Sequence, residues 1–397
     1  MSPTTKPSAK KTTKRTTKRA PKKHGSTRKP RRVYFVTGYP GFIGKRLVTA
    51  LAEREASAKI YVLVQEKFEK DAKAYVAPLA RKPGAAEVEI LVGDIVDMDL
   101  GLSGEEYKRL VEEVTDIFHL AAIYYLGVHK EQARRVNVGG TRRMLEVARE
   151  MKRLRRFNHM STAWVCGDRE GVILEDELQM GQRHRNAYEE TKYEAEVIVR
   201  DAMSELPITI YRPSIVVGDS KTGEIDRFDG PYYLGILLVT SPLAVPLPLP
   251  GNGNAPLNLV PVDYVVGAML VVGDDPRGEG QTLHLVDPNP LSGRRIYEMI
   301  AELAGKRLPR VTLSFRLTDT LMRIPGLERL IRQQRQAVQY VNHLVIFNNH
   351  QALELLDGTG VRCPPISAYL PRLVDYVRQY YRSRPSGEAD EVEDPLD

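Results

Sequence analysis

A tyrosine and a lysine lie four residues apart in the stretch "NAYEETKYEAE", residues 186–196. Residues with this spacing share one face of a helix, so Tyr188 and Lys192 would lie side by side. A phenol has a pKa of about 10, and a nearby ammonium stabilises the phenolate and lowers that pKa. The pair is therefore a candidate proton-transfer device in which Tyr188, as general acid, protonates a carbonyl oxygen as hydride arrives.

A helical projection of residues 186–202 predicts which side of this helix is buried. Tyr188 and Lys192 share a stripe with small and apolar residues, whereas a second group of residues falls on the opposite side. An unpaired buried ammonium is costly, and a breach of the burial pattern is expected where function demands it. We expect the second group to be solvated: Glu189, Glu190, Glu194, Glu196, Arg200 and Asp201.

Two hydroxyl side chains, Ser161 and Thr162, follow the predicted strand "RFNHM". Ligands of an open parallel sheet bind at the carboxyl ends of its strands, so both hydroxyls would lie at the ligand edge. They are candidates to hold the substrate oxygen beside Tyr188. The alternative is that they only hydrogen-bond the local backbone, as serine and threonine often do.

A glycine turn lies near the start of the folded part, in "RVYFVTGYPGFIGKRLVTAL". Gly38, Gly41 and Gly44 come directly after a predicted strand and at the head of a predicted helix, the context of a dinucleotide-binding turn. The unpaired amides and positive dipole of the helix N-terminus favour phosphate. Gly38 would allow the tight turn, Gly41 the approach of the pyrophosphate and Gly44 close packing of helix on strand. A βα turn without ligand is the alternative.

The residues after the second and third strands bear on the choice of dinucleotide. An acid at the end of the second strand favours NAD, and a cation there favours NADP. The sequence offers Gln65, Glu66 and Lys67, which leaves the choice open with a slight preference for NADP. Asp94, after the third strand, is a candidate to bind the adenine or, equally, to cap its own loop.

The elements that would position these residues alternate along the chain. Short β-branched runs are separated by helical periodicities near 42–54, 103–113, 130–150 and 186–203. This pattern predicts an α/β fold with a doubly wound parallel sheet. We expect a basic disordered tail at 1–31, the sheet domain at 32–290 with lobe segments from about 215, a helical part at 291–384 and an acidic disordered tail at 385–397. The segments from 215 onward would form a smaller C-terminal substrate-binding lobe.

Charge and composition bound the partners. The net charge of +7 comes from residues 1–32, which hold 13 of the 58 basic residues; the other 45 face 51 acidic residues, a net charge of −6. The tail is a candidate for contact with nucleic acid or another anionic polymer, or only a solubilising extension. The two cysteines have no metal-ligand spacing and suit the cytoplasm. We expect neither a metal site nor a membrane span.

Together these motifs resemble those of extended short-chain dehydrogenase/reductases. The match includes "TGYPGFIG", "GDI", "HLAA", "NVGGT", "STAWVCG", "YEETK", "YRPSIVVGDS" and "NLVPVDYV", and it is similar to the branch of fatty acyl-CoA reductases (male-sterility type) and thioester reductase domains. The resemblance implies a Rossmann-type fold, and Thr162, Tyr188 and Lys192 as the catalytic set with Ser161 beside them. It implies cofactor contacts at Gly38, Gly41, Gly44, Asp94, Ile95, Ala121, Ala122, Pro213 and Ser214. The chain departs from the acyl reductases at the end of the second strand, where Gln65 stands in place of their usual Arg. The predicted cofactor set also includes Tyr39, Phe42 and Ile43 of the glycine turn, Gln65 and Lys67, and Lys192 as a donor to the ribose of the nicotinamide.

Three functions compete at this point. The first is an NAD(P)H-dependent reductase of a carbonyl or thioester on an apolar substrate (fatty acyl, aldehyde or sterol-like), favoured by the apolar segment 231–250. The second is a nucleotide-sugar epimerase or dehydratase, disfavoured because residues 251–263 contain no Arg or Lys for a second pyrophosphate. The third is a non-enzymatic dinucleotide sensor with a nucleic-acid-binding tail. Analogy with this fold makes a homodimer one candidate assembly.

Overall fold

The computed structural model describes residues 32–80, 85–124, 128–226, 253–306, 340 and 342–383, together with Met1. The chain divides into two units, Met1–Arg31 and Arg32–Asp397, and the helices and strands below belong to the second. The predicted basic and acidic tails and the apolar segment 231–250 lie outside the described residues.

Seven parallel strands form the main sheet. In chain order they are β1 (Val33–Thr37), β2 (Lys59–Val64), β3 (Glu87–Val92), β4 (Asp116–His119), β5 (Arg156–Met160), β7 (Ile208–Pro213) and β10 (Thr282–Leu285). Their spatial order is β10-β7-β5-β4-β1-β2-β3, and every neighbouring pair is parallel. The order reverses between β1 and β4, so a ligand-binding crevice is expected at the carboxyl ends of these strands.

Helices cover both faces of the sheet, which confirms the predicted doubly wound α/β fold. On one face α1 (Phe42–Arg54), α2 (Glu69–Ala80) and α7 (Val262–Asp274) contribute to one apolar core. On the other face α3 (Gly104–Glu113), α5 (Thr141–Glu150) and α6 (Ala187–Asp201) contribute to a second. Every residue of β1, β5 and β7 is buried because both faces are covered, and polar side chains such as Arg156, Asn158 and Arg212 lie among the apolar ones.

The helix predicted over 130–150 contains a change of helical type. Helix α4 (Lys130–Arg134) continues through a π-helical turn, Arg135–Gly140, into α5. The buried Asn137 side chain lies in that turn, and its Oδ1 accepts a hydrogen bond from the Ile123 amide at 2.7 Å. Its Nδ2 donates to the Ile123 carbonyl and to Thr191 Oγ1, both at 3.0 Å. Asn137 thereby joins the segment after β4 to helix α6.

A smaller group of elements lies beyond the carboxyl ends of β5 and β7. Strands β8 (Ile215–Val217) and β9 (Leu259–Pro261) pair, as do β6 (Gly171–Ile173) and β11 (Val345–Phe347). Helices α8 (Gly293–Leu303), α9 (His350–Leu356) and α10 (Ile366–Ser383) complete this part. Among the described residues, no helix is both long and apolar enough to cross a membrane.

Candidate active site

The glycine turn between β1 and α1 is built so tightly that side chains would not fit. Gly38 has a φ of +81°, and a Cβ added there would lie 2.8 Å from the Ala121 amide nitrogen. A Cβ on Gly41 would lie 2.8 Å, and one on Gly44 2.4 Å, from the Gly38 carbonyl oxygen. The three glycines therefore allow the turn to fold on itself and against the end of β4. Gly44 therefore allows the close packing that was predicted for it. Gly41 lies against the backbone of the turn itself, and its approach to a pyrophosphate stays a prediction.

The N-terminus of α1 offers donors for an anion. The cap residue Gly41 provides no side-chain hydrogen bond, and the first helical bond runs from the Lys45 amide to the Gly41 carbonyl at 2.9 Å. The first-turn amides of Phe42, Ile43 and Gly44 therefore lack a side-chain cap, and the helix dipole favours negative charge there. This donor set fits the pyrophosphate of a dinucleotide.

The ends of β2 and β3 meet at the predicted adenosine end of the site. Gln65 Nε2 donates to Asp94 Oδ2 at 2.7 Å, so the two predicted cofactor residues contact each other directly. Asp94 Oδ1 also accepts a hydrogen bond from the Val96 amide at 3.1 Å, so Asp94 caps its own loop, which was the predicted alternative to binding adenine. Lys67 is exposed in the adjacent turn. The side-chain amide of Gln65 and the ammonium of Lys67 are therefore both exposed near the Asp94 carboxylate.

Three further predicted cofactor residues follow β3 and β4 at the same edge of the sheet. Ile95 is buried, and a Cβ on Gly140 would lie 2.4 Å from its Cδ1, so it packs against the π-helical turn. Ala121 follows β4, and its amide donates to Thr37 Oγ1 at 3.2 Å. Ala121 and Ala122 are half-buried. They therefore lie close to the glycine turn, as their positions in the motif implied.

Tyr188 lies in the first turn of α6, where Asn186 caps the helix by accepting from the Glu189 amide at 2.9 Å. The expected lowering of its pKa is wrong for this structure. Burial raises the pKa of Tyr188 to about 12, and the charge of Glu189 acts in the same direction, whereas the interaction with the Thr162 hydroxyl lowers it. The phenol is therefore a proton donor that keeps its proton at neutral pH.

Lys192 is buried on the inward stripe of α6, as its position in the helix predicted, with 3% of its surface exposed. Its Nζ donates to the Met160 carbonyl at 2.6 Å. Burial lowers the pKa of Lys192 to about 8, although Glu196 raises it. The ammonium is therefore directed at the end of β5, which explains why it does not lower the pKa of Tyr188 as expected.

Ser161 and Thr162 are both buried at the end of β5 but have different partners. Thr162 Oγ1 accepts from the Trp164 amide at 3.3 Å and donates to the Pro213 carbonyl at 3.5 Å. Ser161 Oγ donates to Glu196 Oε2 at 2.6 Å, a strong charge-assisted bond. The structure thus brings Thr162 together with Tyr188, whereas the Ser161 proton is committed to Glu196.

The solvated position predicted for Glu189 and Glu196 is wrong, because both side chains are fully buried. Glu196 pairs with Arg212, whose Nη2 donates to Glu196 Oε1 at 2.6 Å, and with Arg200, whose Nε donates to the same oxygen at 3.0 Å. Burial acts to raise the pKa of Glu196, but Arg212 and its other partners outweigh burial and lower it. A paired carboxylate can therefore occupy a position that helical projection assigned to solvent.

The turn "RPS" after β7 lies beside Thr162, but its arginine does not face the crevice. The Arg212 side chain is fully buried against Glu196, and its Nη2 also donates to the Glu177 carbonyl at 2.8 Å. The Pro213 carbonyl is a neighbour of Thr162, and Ser214 Oγ donates to Asn258 Oδ1 at 2.7 Å. In the sequence, Arg212 indicates such a buried pair, because it is a charged residue in an otherwise largely apolar strand.

Two buried histidines lie near Lys192. Burial lowers the pKa of His119 to about 3, and that of His159 falls well below its usual value; Lys192 acts in the same direction on both. His119 is held between Thr37 Oγ1 at 2.8 Å and Thr141 Oγ1 at 3.0 Å. Both rings are therefore neutral near neutral pH, and they do not compete with Tyr188 as proton donors.

The chain is similar in sequence to a known family and to several named reductases. The family model described as male sterility protein, an NAD-binding domain, matches residues 36–269. Fatty acyl-CoA reductase wat of Drosophila melanogaster is 28% identical over 275 residues, which are 59% of this chain and 53% of that protein. Fatty acyl-CoA reductase 1 of Xenopus laevis is 30% identical over 276 residues, again 59% of this chain and 53% of that protein.

A solved structure extends the similarity over most of the chain. The terminal R domain from the myxalamid PKS-NRPS biosynthetic pathway has a TM-score of 0.73 and 27% identity, covering 89% of this chain and 92% of that one. UDP-glucuronic acid 4-epimerase from Bacillus cereus, solved with NAD, has a TM-score of 0.62 but 19% identity and shows the fold alone. The chain spans about half the length of the curated reductases that it matches. With the family model matching more than half of its residues, the chain belongs to the male sterility protein family of NAD-binding domains.

Proposed function

We propose that this chain is an NAD(P)H-dependent reductase of apolar acyl thioesters, with aldehydes and sterol-like ketones as further substrates to be tested. The observation that carries the proposal is that Thr162, which interacts with Tyr188, and Lys192, which donates to the Met160 carbonyl, lie at the same carboxyl edge of the sheet as the uncapped N-terminus of α1. The fatty acyl-CoA reductases among the relatives support the thioester class.

Several groups of this chain fit the dinucleotide. The first-turn amides of α1 would hold the pyrophosphate, Gln65 with Asp94 would face the adenosine, and Lys192 would donate to the ribose next to the nicotinamide. A bound reduced dinucleotide would supply the hydride. The Pro213 carbonyl and Ser214 would lie beside the reacting end, as the neighbours of Thr162.

The chain's own residues would manage the charge on the substrate oxygen. Reduction of a thioester carbonyl places negative charge on that oxygen, and the hydroxyls of Thr162 and Tyr188 would both donate hydrogen bonds to it. Tyr188 would then transfer its proton to the oxygen. The resulting hemithioacetal breaks its C–S bond, which releases the thiol and leaves an aldehyde.

The experiment that tests this function follows oxidation of NADH and NADPH by the purified full chain. Long-chain acyl-CoAs, long-chain aldehydes, sterol ketones and UDP-glucuronic acid are offered separately. We expect oxidation with acyl-CoA, together with release of free CoA thiol. If no carbonyl substrate leads to oxidation of either dinucleotide, the proposed function is wrong, and tight binding of the nucleotide sugar would favour an epimerase instead.

The choice of dinucleotide depends on the end of β2, and our preference for NADP stays a prediction. Gln65→Arg is expected to raise the ratio of kcat/KM for NADPH over NADH by about ten- to hundredfold, because a guanidinium can bind the extra phosphate through charge-assisted hydrogen bonds. Gln65→Glu is the matched control and should move the ratio toward NADH. The two ratios are measured with one acyl substrate; a shift of equal sign in both variants would contradict this role of Gln65.

The finer expectations about partners and location also stay predictions from the sequence. They are contact of residues 1–31 with nucleic acid or another anionic polymer, a homodimer, a cytoplasmic location and the division of the chain at residue 290.

A further inference from the structure

Tyr340 connects two parts of the candidate active site that are far from it in the chain. Its ring packs edge-on against Trp164, with the ring centroids 4.6 Å apart. Trp164 in turn donates its backbone amide to Thr162 Oγ1 at 3.3 Å. The Tyr340 hydroxyl donates to Glu189 Oε1 at 2.7 Å and accepts from Asn186 Nδ2 at 2.9 Å. One side chain thus contacts the neighbours of both Thr162 and Tyr188.

Glu189 is the buried charge in this arrangement, and its fully buried carboxylate follows Tyr188 directly in the first turn of α6. Besides the Tyr340 hydroxyl, it accepts from Arg185 Nη1 at 3.0 Å and from the Arg185 amide at 3.0 Å. A buried carboxylate needs such donors to remain charged. Its charge is therefore balanced by one guanidinium, one amide and one phenol.

Arg185 is held on its far side by His343. Arg185 Nη2 lies 2.7 Å from His343 Nδ1, and because a guanidinium has no acceptor, Nδ1 must accept. His343 Nε2 then carries the hydrogen and donates to the Arg169 carbonyl at 2.6 Å. Burial and Arg185 both lower the pKa of His343, which agrees with this neutral form. The carboxylate is thus fixed by a chain of contacts from residues 340 and 343, beyond the 36–269 segment that matches the family model.

We propose that Tyr340 is a positioning residue of the active site: it holds Glu189 beside Tyr188 and supports Trp164 beside Thr162. Residues from the C-terminal part of the chain thereby fix both hydroxyls that would bind the substrate oxygen. The inference rests on the proposed function only for its kinetic readout, because the contacts themselves are independent of the reaction.

The electrostatic consequence has a definite sign. Tyr188 faces Thr162 and Tyr124 from the loops after β5 and β4, and Glu189 from its own helix. A negative charge disfavours loss of a proton from either a phenol or an ammonium. Removing the charge of Glu189 therefore makes Tyr188 easier to deprotonate. Removing the Tyr340 hydroxyl takes away a donor that partly neutralises Glu189, so its effect has the opposite sign.

The charged and titratable groups around Glu189 complete the electrostatic surroundings. Arg185 faces it from the segment before α6, and Tyr340 from the C-terminal part. Cys166, in the turn after β5, and His343 also interact with its charge. Both neighbours are neutral near neutral pH, because burial raises the pKa of Cys166 to about 12 and lowers that of His343.

The test compares Tyr340→Phe, Glu189→Gln and the double variant in the full chain, with long-chain acyl-CoA and the reduced dinucleotide that the wild type prefers. Tyr340→Phe should lower kcat about two- to tenfold with KM for the dinucleotide unchanged, as expected for one lost hydrogen bond. The pKa of the Tyr188 phenol should rise in Tyr340→Phe and fall in Glu189→Gln. In the double variant it should coincide with that of Glu189→Gln, because the Tyr340 hydroxyl acts through Glu189.

Glu190→Gln is the matched control, since it removes the adjacent glutamate of α6, which pairs with Lys130 at 2.8 Å and is partly exposed. It should leave kcat and the pH profile unchanged. Thermal unfolding of each variant shows whether a change in activity comes from unfolding or from misplaced side chains. If Glu189→Gln does not fold, the comparison of Tyr340→Phe with the wild type tests the role of Tyr340.

A second readout does not depend on turnover. In protein with 13C-labelled tyrosine rings, the Tyr188 signal, assigned by its absence in Tyr188→Phe, reports ionisation of the phenol as pH rises. A higher pKa of Tyr188 in Tyr340→Phe and a lower one in Glu189→Gln support the inference even if no substrate is reduced. An unchanged Tyr188 titration in Tyr340→Phe overturns the inference. The proposed function is tested separately, by whether the wild type reduces acyl-CoA.

Discussion

Replacing Tyr188 by phenylalanine is expected to lower kcat for acyl-CoA reduction by about 10²–10⁴-fold, the usual contribution of a positioned general acid. The ring is retained, so the packing of α6 on β5 should persist. The lost hydroxyl is the group that interacts with Thr162 and keeps its proton near neutral pH, because burial raises the pKa to about 12. Measurement of kcat together with the dissociation constant of the dinucleotide should show the first falling and the second nearly unchanged.

Tyr193→Phe is the matched control for that experiment. Tyr193 lies on the same helix, is half-buried, and packs its ring against His184 with the centroids 4.7 Å apart. Its hydroxyl has no assigned part in the reaction, so activity should be retained. If Tyr188→Phe kept more than about a tenth of the wild-type kcat, the acid would have to be another group.

Glu196→Gln is expected to lower the free energy of unfolding by about 3–5 kcal/mol. The reason is that Arg212 would remain fully buried without its counterion, since both side chains of this pair are 0% exposed. Arg212 would retain hydrogen bonds to the Glu175 and Glu177 carbonyls, but these carry no full charge. Chemical denaturation of the full chain, followed by circular dichroism, measures the change.

Two further variants separate the buried pair from a general effect of losing charge on α6. Glu194→Gln removes a carboxylate whose partner Arg134 is 60% exposed, and a surface pair of this kind contributes about 0–1 kcal/mol. The double variant Glu196→Leu/Arg212→Met should recover part of the lost stability, because an apolar pair avoids the cost of a single buried charge. Equal losses in Glu196→Gln and Glu194→Gln would show that the buried pair has no special role.

Loss of Glu196 should also reach the active site. Glu196 accepts the Ser161 proton, and its charge raises the pKa of Lys192. In Glu196→Gln that influence is gone, so the Lys192 ammonium should lose its proton at lower pH and the alkaline limb of the activity profile should move the same way. The pair of Arg212 and Glu196 therefore links the stability of the sheet to the charge of the candidate site.

The parts of the site that depend on local patterns could be predicted from the sequence. The glycine turn needs only a strand, a short loop and a helix in succession, and the structure has them at β1 and α1. The inward position of Lys192 follows from helical periodicity alone, and the residue is buried. The alternation of strands and helices likewise determined the doubly wound sheet, because each run carries its own burial pattern.

Contacts between distant residues decided the rest. Glu189 and Glu196 look solvated in projection, but the structure buries them because Tyr340, 151 residues from Glu189, and Arg212 supply the donors they need. The pKa of Tyr188 is raised rather than lowered, because burial outweighs the interaction with the Thr162 hydroxyl and the Lys192 ammonium is directed at the Met160 carbonyl. The sequence by itself determined which residues could do chemistry and on which elements they lie. The tertiary structure decided their charge and partners, because desolvation and ion pairing depend on which residues meet in space.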